Sequence, residues 1–464
     1  MVRGIRSAGV LMIATATLAA CGGASGSAGA AGSVAPPAVA STPPASSAPA
    51  SPTPAQAGSR PDTVRRALAA MSVEEKVGQL FMPVLNGTSA DSAAEGNQTS
   101  FGASTPAKVI AKYHLGGVIL FPGNIKSVSQ VVSLTNGMQK ASKRVPLLIG
   151  TDQENGLVSR MSALVTDLPG ASVVGATRNT GLAREAAKAT GAELKALGVN
   201  LDFAPVADVN IDPKNPVIGK RAFGDDPARV AQMVAASVKG FHDAGVAATA
   251  KHFPGHGDTR TDSHTGLPVI KHTRAQWASL DAPPFKAAIG ADVDAVMSAH
   301  IVMPKLDPSG DPATLSKPIL TGLLRDKLGF DGVVSTDALN MEGVRKKYND
   351  GEVAVRAVLA GADLLLMPPS LPKAYGAVLA AVKSGRISQQ RLDESVTRLL
   401  ELRHKRGFLK AAPRRLGGPG GQGAPLGRAP QAGGQDRESG PLVAVPEGRG
   451  DHRRVSACPR WRRR

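Results

Sequence analysis

Short apolar runs recur along the central part of the chain, at Leu80–Val84, Gly117–Phe121, Leu147–Thr151, Leu201–Val206, Val246–Phe253, Ala295–His300, Gly332–Asp337 and Asp363–Met367. Most are unbroken stretches of Val, Ile, Leu and Ala, the pattern of parallel strands covered on both faces. Between them lie stretches of helical period, such as Gly181–Ala196, Asp226–His242 and Leu371–Lys383. Ahead of the first run, Ser72-Val73-Glu74-Glu75 fits a capping box at a helix start. Eight strand and helix repeats over about 340 residues predict an α/β fold, a single (β/α)8 barrel of the TIM type. The alternative, a doubly wound open sheet, lacks a G-x-G-x-x-G after its first strand.

Polar residues punctuate these runs at the same end. Asp152 follows the third, Asp208 the fourth, Lys251-His252 closes the fifth, His300 the sixth and Asp337 the seventh. Ionisable groups at the carboxyl ends of barrel strands converge on one face, where such folds build their active sites.

The two ends of the chain break the pattern. Residues 1–20 show a basic start at Arg3 and Arg6, an apolar stretch and Leu18-Ala19-Ala20 before Cys21. This is the layout of a signal peptide, too short to remain as a membrane span. A cysteine directly after Leu-Ala-Ala resembles a bacterial lipobox, which implies lipidation of Cys21, an anchor in the cell membrane and a body on the cell-wall side. Residues 21–60 are rich in Ala, Ser, Gly and Pro and carry no charge before Arg60; such a stretch cannot bury a core and reads as a disordered tether. Residues 61–410 form the barrel domain. The stretch 411–464 holds 11 Arg, no Lys, 11 Gly and 7 Pro. It reads as a disordered tail, an unstructured extension or the product of a shifted reading frame rather than a domain.

Charge changes the picture less than its total suggests. The chain has 55 Lys and Arg against 37 Asp and Glu, a net +18, yet residues 61–410 hold 41 bases and 33 acids, a net +8. Aromatic residues make up only 3% of the chain, which argues against base-stacking surfaces and so against nucleic acid as a partner. The cysteines are Cys21 and Cys458 alone, so the barrel domain has neither a disulfide framework nor Cys-ligated zinc.

The densest chemistry is the run from Lys251 to His264, KHFPGHGDTRTDSH, in which Gly and Pro shape a loop rather than a helix. One reading is a metal site on His252, His256, Asp258 and His264. Against it, Pro254 and Gly255 interrupt the helical spacing of the two histidines, and there is no H-E-x-x-H base. A second reading is an acid/base histidine oriented by a carboxylate: Asp262 and His264 lie two apart, close enough for the carboxylate to hold the imidazole and raise its pKa. The bland reading is a set of hydrogen-bonded loop histidines without chemistry.

That run, followed by Thr265-Gly266-Leu267-Pro268, resembles the motif of the family 3 glycoside hydrolases that act as β-N-acetylglucosaminidases. Other blocks agree, in the family's order: Gly116–Phe121, Thr151-Asp152-Gln153-Glu154, Phe203–Asn210, Gly219–Gly224 and Val334-Ser335-Thr336-Asp337. The resemblance covers about 65 to 410. It implies Asp337 as nucleophile of a retaining mechanism, His264 as acid and then base, and Asp262 as its partner. Asp152, Arg160, Arg221, Lys251 and His252 match positions that bind the non-reducing sugar; the other use of Arg160 and Arg221 is a structural ion pair. No metal and no cofactor is implied.

The implied partner is a GlcNAc-containing glycan or muropeptide from peptidoglycan turnover, taken by a monomer. Because a neutral imidazole does not repel an incoming anion as a carboxylate would, transfer to phosphate is an alternative outcome, and a β-glucosidase or β-xylosidase of the same family is another. A glycan-binding lipoprotein without catalysis is a third class, disfavoured by the intact Asp337 and His264. Two departures stand out: Asn155-Gly156-Leu157-Val158 where the family more often has a second Gly and then Arg or Ile, and Ala338-Leu339-Asn340 after Asp337. Many relatives add a second α/β domain, sometimes the source of the acid; the expectation here is that no sequence remains for one, which makes His264 more necessary.

Overall fold

The computed structural model describes residues 61–262 and 266–409. The signal peptide, Cys21, the tether, His264 and the tail 411–464 lie outside the described residues.

The helix Val73–Gln79 starts where its capping box predicts. The Ser72 hydroxyl accepts from the Glu75 N–H at 3.1 Å, and the Ser72 N–H donates to the Glu75 carboxylate at 2.9 Å. Helices Thr180–Ala196, Pro227–Ala244 and Leu371–Lys383 occupy the three periodic stretches, the second capped by Asp226.

The described residues form ten strands: β1 (Phe81–Met82), β2 (Gly117–Ile119), β3 (Leu148–Thr151), β4 (Gln153–Asn155), β5 (Val158–Ser159), β6 (Leu201–Asp202), β7 (Ala247–Phe253), β8 (Ala295–Ser298), β9 (Val333–Ser335) and β10 (Leu365–Leu366). Each of the eight apolar runs contains one of them, and those eight are buried along their whole length. Their pairings are all parallel, so both faces are covered by helices and an unbroken apolar run costs nothing in exposed surface.

Six strands form one curled sheet in the order β2-β3-β6-β7-β8-β9, while β1 and β10 pair with each other. One parallel bridge, Ser335 with Leu364, links β9 to the start of β10. The expected single eight-stranded barrel is thus present in coarser form, an α/β fold around a curled parallel sheet. The ladder breaks on either side of the β1–β10 pair, which meets β2 and β9 through backbone contacts outside the ladders, such as Ile119 to Pro83 and Ser335 with Leu364.

The antiparallel hairpin β4–β5 was not foreseen. Asn155 and Gly156 turn it with positive φ, 66° and 62°, the backbone region that Asn and Gly tolerate best. Among the described residues no helix is long and apolar enough to cross a membrane.

At the amino ends of the strands, buried charges lock helices to the sheet. Asp363, just ahead of β10, accepts from Arg325 at 2.6 Å, Arg391 at 3.1 Å, Arg398 at 3.3 Å and Ser395 at 2.7 Å. Arg403, in the helix Gln389–Lys405, donates to the carbonyls of Gly116 at 2.6 Å and Pro146 at 2.7 Å, close to the starts of β2 and β3.

Candidate active site

The opposite end of the sheet is built around β7, whose seven residues are all buried and which carries Lys251 and His252 near its exit. Asp152 and Glu154 leave β3 in extended chain, two residues apart and therefore on one side. Lys251 Nζ lies 2.7 Å from both carboxylates. Glu154 also accepts two parallel hydrogen bonds from Arg221, each of 2.8 Å. This fork is the strongest geometry available to an arginine and a carboxylate. Burial alone would raise the Glu154 pKa, but the charges of Lys251 and Arg221 outweigh it and hold it at about 2. Burial likewise works against the Lys251 ammonium, and Asp152 and Glu154 more than offset it, so its pKa is raised.

His252 is oriented from behind. Its Nδ1 lies 2.7 Å from Asp208, whose other oxygen accepts the backbone N–H of His252 at 3.1 Å and of His256 at 2.8 Å. Burial opposes the charge on Asp208, but His252 and His256 lower its pKa, so the carboxylate keeps its charge and accepts the Nδ1–H hydrogen bond. That leaves Nε2 towards the cleft, 3.4 Å from an Arg221 nitrogen.

Asp337 leaves β9 two residues after its end. Its carboxylate accepts the Ala338 N–H at 2.7 Å. Burial pushes its pKa up; His300, His252, that N–H and Lys251 pull it down further, and the net direction is downward. His300 is fixed by the Ala338 carbonyl at 3.0 Å and the Thr314 hydroxyl at 2.9 Å. Asp337 is thus an anionic carboxylate in a cleft that also presents Lys251 and Arg221.

Of the residues expected at the site, Asp152, Arg160, Arg221, Lys251, His252 and Asp337 line one cleft, together with Glu154 and His256. Arg160 lies over the Phe121 ring at 5.2 Å, and its Nε has no hydrogen-bond partner among the described residues. Arg221 does form the ion pair that was its alternative use, and still faces the cleft. Asp262 is not among the lining residues; its carbonyl accepts from Gly266 at 2.8 Å. Among the described residues no three or more of His, Cys, Asp and Glu are grouped to hold a metal ion. His252 is instead engaged by Asp208, and Asp258 by His272 at 2.8 Å.

Glu154 was missed as a site residue, although its spacing from Asp152 carried the signal. Also missed was the chain Asp258, His272 and Asp281, buried at the latter two, which comes from folding rather than from any local spacing.

Taken together, the curled parallel sheet sets an anionic carboxylate and charged hydrogen-bonding groups at the carboxyl ends of its strands, the place where barrel-type α/β enzymes build their active sites. The profile of the glycosyl hydrolase family 3 N terminal domain matches residues 72–402, and the chain belongs to that family. It is 39% identical over 327 residues to β-hexosaminidase A of Pseudoalteromonas piscicida, covering 64% of this chain and 55% of that one. It is 33% identical over 354 residues to a β-N-acetylglucosaminidase/β-glucosidase of Cellulomonas fimi, covering 74% of this chain and 60% of the relative. Among solved structures it is similar to a glycoside hydrolase family 3 β-N-acetylglucosaminidase from Paenibacillus sp. str. FPU-7, with TM-score 0.69 and 45% identity over 75% of this chain and 65% of that one. The chain therefore spans under two thirds of the length of these relatives.

Proposed function

We propose that the chain is a retaining exo-β-N-acetylglucosaminidase that releases terminal β-GlcNAc from peptidoglycan-derived glycans. The observation that carries this reading is Asp337, ionised and half-buried, facing the same cleft as Lys251, Asp152, Arg160, Arg221 and His252. In the first step an Asp337 oxygen attacks the anomeric carbon. The bond to the leaving oxygen breaks, its electron pair stays on that oxygen, and His264 gives it a proton. In the second step His264 takes a proton from water, the water oxygen attacks the anomeric carbon, and the sugar–Asp337 ester bond breaks to return the carboxylate. Asp262 holds the imidazole, and the five other residues bind sugar hydroxyls. The names of the relatives from Pseudoalteromonas piscicida and Paenibacillus support the substrate class.

The same proposal takes the eight parallel strands as a closed barrel. Hydrogen bonds that continue past the ladders support this: Thr336 to Leu364 at 2.9 Å, Leu365 to Leu80 at 2.7 Å and Ile119 to Pro83 at 3.1 Å, each between backbone groups. It also takes the protein to be a monomer anchored outside the cell membrane through a lipid on Cys21; loss of palmitate labelling in Cys21→Ser tests that anchor.

A second reading, a β-glucosidase, is favoured by the double name of the Cellulomonas fimi relative. The deciding experiment measures release from aryl β-N-acetylglucosaminide and aryl β-glucoside by wild type, Asp337→Asn and His264→Ala, with and without chelator and with added phosphate. The expected result is hydrolysis of the N-acetylglucosaminide, insensitive to chelator and abolished in Asp337→Asn. Turnover of the glucoside alone would favour the second reading, a sugar phosphate as main product would make it a phosphorylase, and an Asp337→Asn enzyme as fast as wild type would end the nucleophile assignment.

A further inference from the structure

The loop that follows β7 is tied down differently along its course. Its outgoing limb first runs against the chain after β6. The Asn215 side chain donates to the His256 carbonyl at 2.9 Å, the Asp212 N–H donates to the Gly257 carbonyl at 3.1 Å, and a Cβ on Gly257 would stand 1.5 Å from the Val209 carbonyl oxygen. Its returning limb is paired with the chain after β8, through Ile270 to Val302 at 2.9 Å and Val302 to Pro268 at 2.8 Å. Between these two anchored limbs lies the excursion that carries Asp262 and His264.

One side chain crosses the base of that excursion. His272 Nδ1 lies 2.6 Å from Asp281 and its Nε2 lies 2.8 Å from Asp258, fourteen residues back along the chain. His272 is 6% exposed and Asp281 1%. Both ring nitrogens face carboxyl oxygens, so each contact holds a proton between ring and carboxyl group. Two charge-assisted hydrogen bonds, one to the buried Asp281 and one to the half-exposed Asp258, make a stiff link. Asp281 is itself locked, packed so closely under Gly255 that a Cβ there would stand 2.6 Å from its oxygen, while Trp277 donates to the Pro254 carbonyl at 3.0 Å. Beyond Gly257, the outgoing limb also carries the ion pair of Arg260 with Asp212 at 2.7 Å, with the arginine 68% exposed. Exposed pairs of that kind contribute little, whereas His272 ties the limb from a buried position.

We propose that His272 is a positioning residue for proton transfer: by bridging Asp281 to Asp258 it fixes the base of the loop that bears Asp262 and His264, without lining the cleft itself. The proposal rests on His264 being the acid/base. A loop closed at its base has fewer conformations to lose when proton donor and glycosidic oxygen must meet.

The test uses leaving groups. A 2,4-dinitrophenyl β-N-acetylglucosaminide needs no protonation to depart, whereas the phenyl glycoside does. Removing a well-placed general acid costs about 100-fold or more on the substrate that needs it, and misplacing it costs a large part of that. His272→Ala and Asp258→Ala are expected to lower kcat/KM on the phenyl glycoside at least ~30-fold and on the dinitrophenyl glycoside under ~3-fold, with kcat on the latter falling because the base step suffers. Asp258→Asn, which keeps an acceptor for the Nε2 proton, is expected to stay within ~3-fold of wild type on both. Equal losses on both substrates, or none, would overturn the proposal. So would an Asp258→Asn enzyme as poor as Asp258→Ala. Should His272→Ala fail to fold, the two Asp258 variants decide. His264→Ala separates the layers: if it shows the leaving-group split and the Asp258 and His272 variants do not, the positioning role alone is wrong, and if it shows no split, the acid/base reading beneath it is wrong too.

Discussion

Glu154 is the residue on which the cationic wall of the cleft depends, since it binds Lys251 and Arg221 at once. Replacing it by Gln leaves two buried cations with one fewer anion, and breaking a buried pair in this way costs about 3 kcal/mol or more. Chemical denaturation of Glu154→Gln is expected to show that loss near neutrality. Because the folded pKa of Glu154, about 2, lies below its ordinary 4.5, its contribution is full above the ordinary value. It drains away as pH falls from there through the folded value. The gap between wild type and variant must therefore close on acidification; a gap that widened towards low pH would contradict the geometry. Asp337, Lys251 and His252 were legible in the sequence because each sits where a strand exits. Glu154 was less so, because the hairpin that presents it is made of polar residues, and His272 was hidden because its partners lie fourteen residues before it and nine after it.

At the scale of elements, unbroken apolar runs betrayed all eight parallel strands, since burial on both faces leaves no room for polar alternation. The β4–β5 hairpin escaped that logic, although Asn155-Gly156 is a strong local signal for a tight turn. Loops are also where small residues become obligatory. Gly257→Ala would drive a methyl into the Val209 carbonyl, so the β7 loop must move away from the chain after β6. The expected cost is about 1–3 kcal/mol, as for other overpacked sites, with kcat/KM on aryl N-acetylglucosaminide falling more than 10-fold. Unchanged activity would mean the loop shifts without disturbing proton transfer.

Across the whole molecule the two ends of the sheet divide the labour. The carboxyl ends hold the cleft, and the amino ends hold ion clusters such as Asp363 with Arg325, Arg391 and Arg398. Asp363→Asn is expected to cost about 3 kcal/mol and to lower the Tm, while kcat/KM at a permissive temperature stays within about 2-fold, as conservation of stability at the far face of such folds implies. A comparable loss of kcat/KM would show that the ends are coupled. The charged residues here gave no hint of this role in the sequence, where a lone Asp before an apolar run and three scattered arginines look like solvated surface.

The pairing of β1 with β10 joins residues near the start of the described chain to residues near its end, with the Leu365 N–H donating to the Leu80 carbonyl at 2.7 Å. Arg403 reaches across 287 positions to Gly116. A ribosome must therefore finish nearly the whole domain before the first strand finds its ladder partner, β10. Until then Phe81 and Met82, wholly buried in the finished fold, offer an unpaired apolar edge to the cell's holding chaperones. A chain truncated after Gly361 is expected to lack a cooperative unfolding transition and to be cut rapidly by protease, whereas one ending at Leu409 melts as a unit.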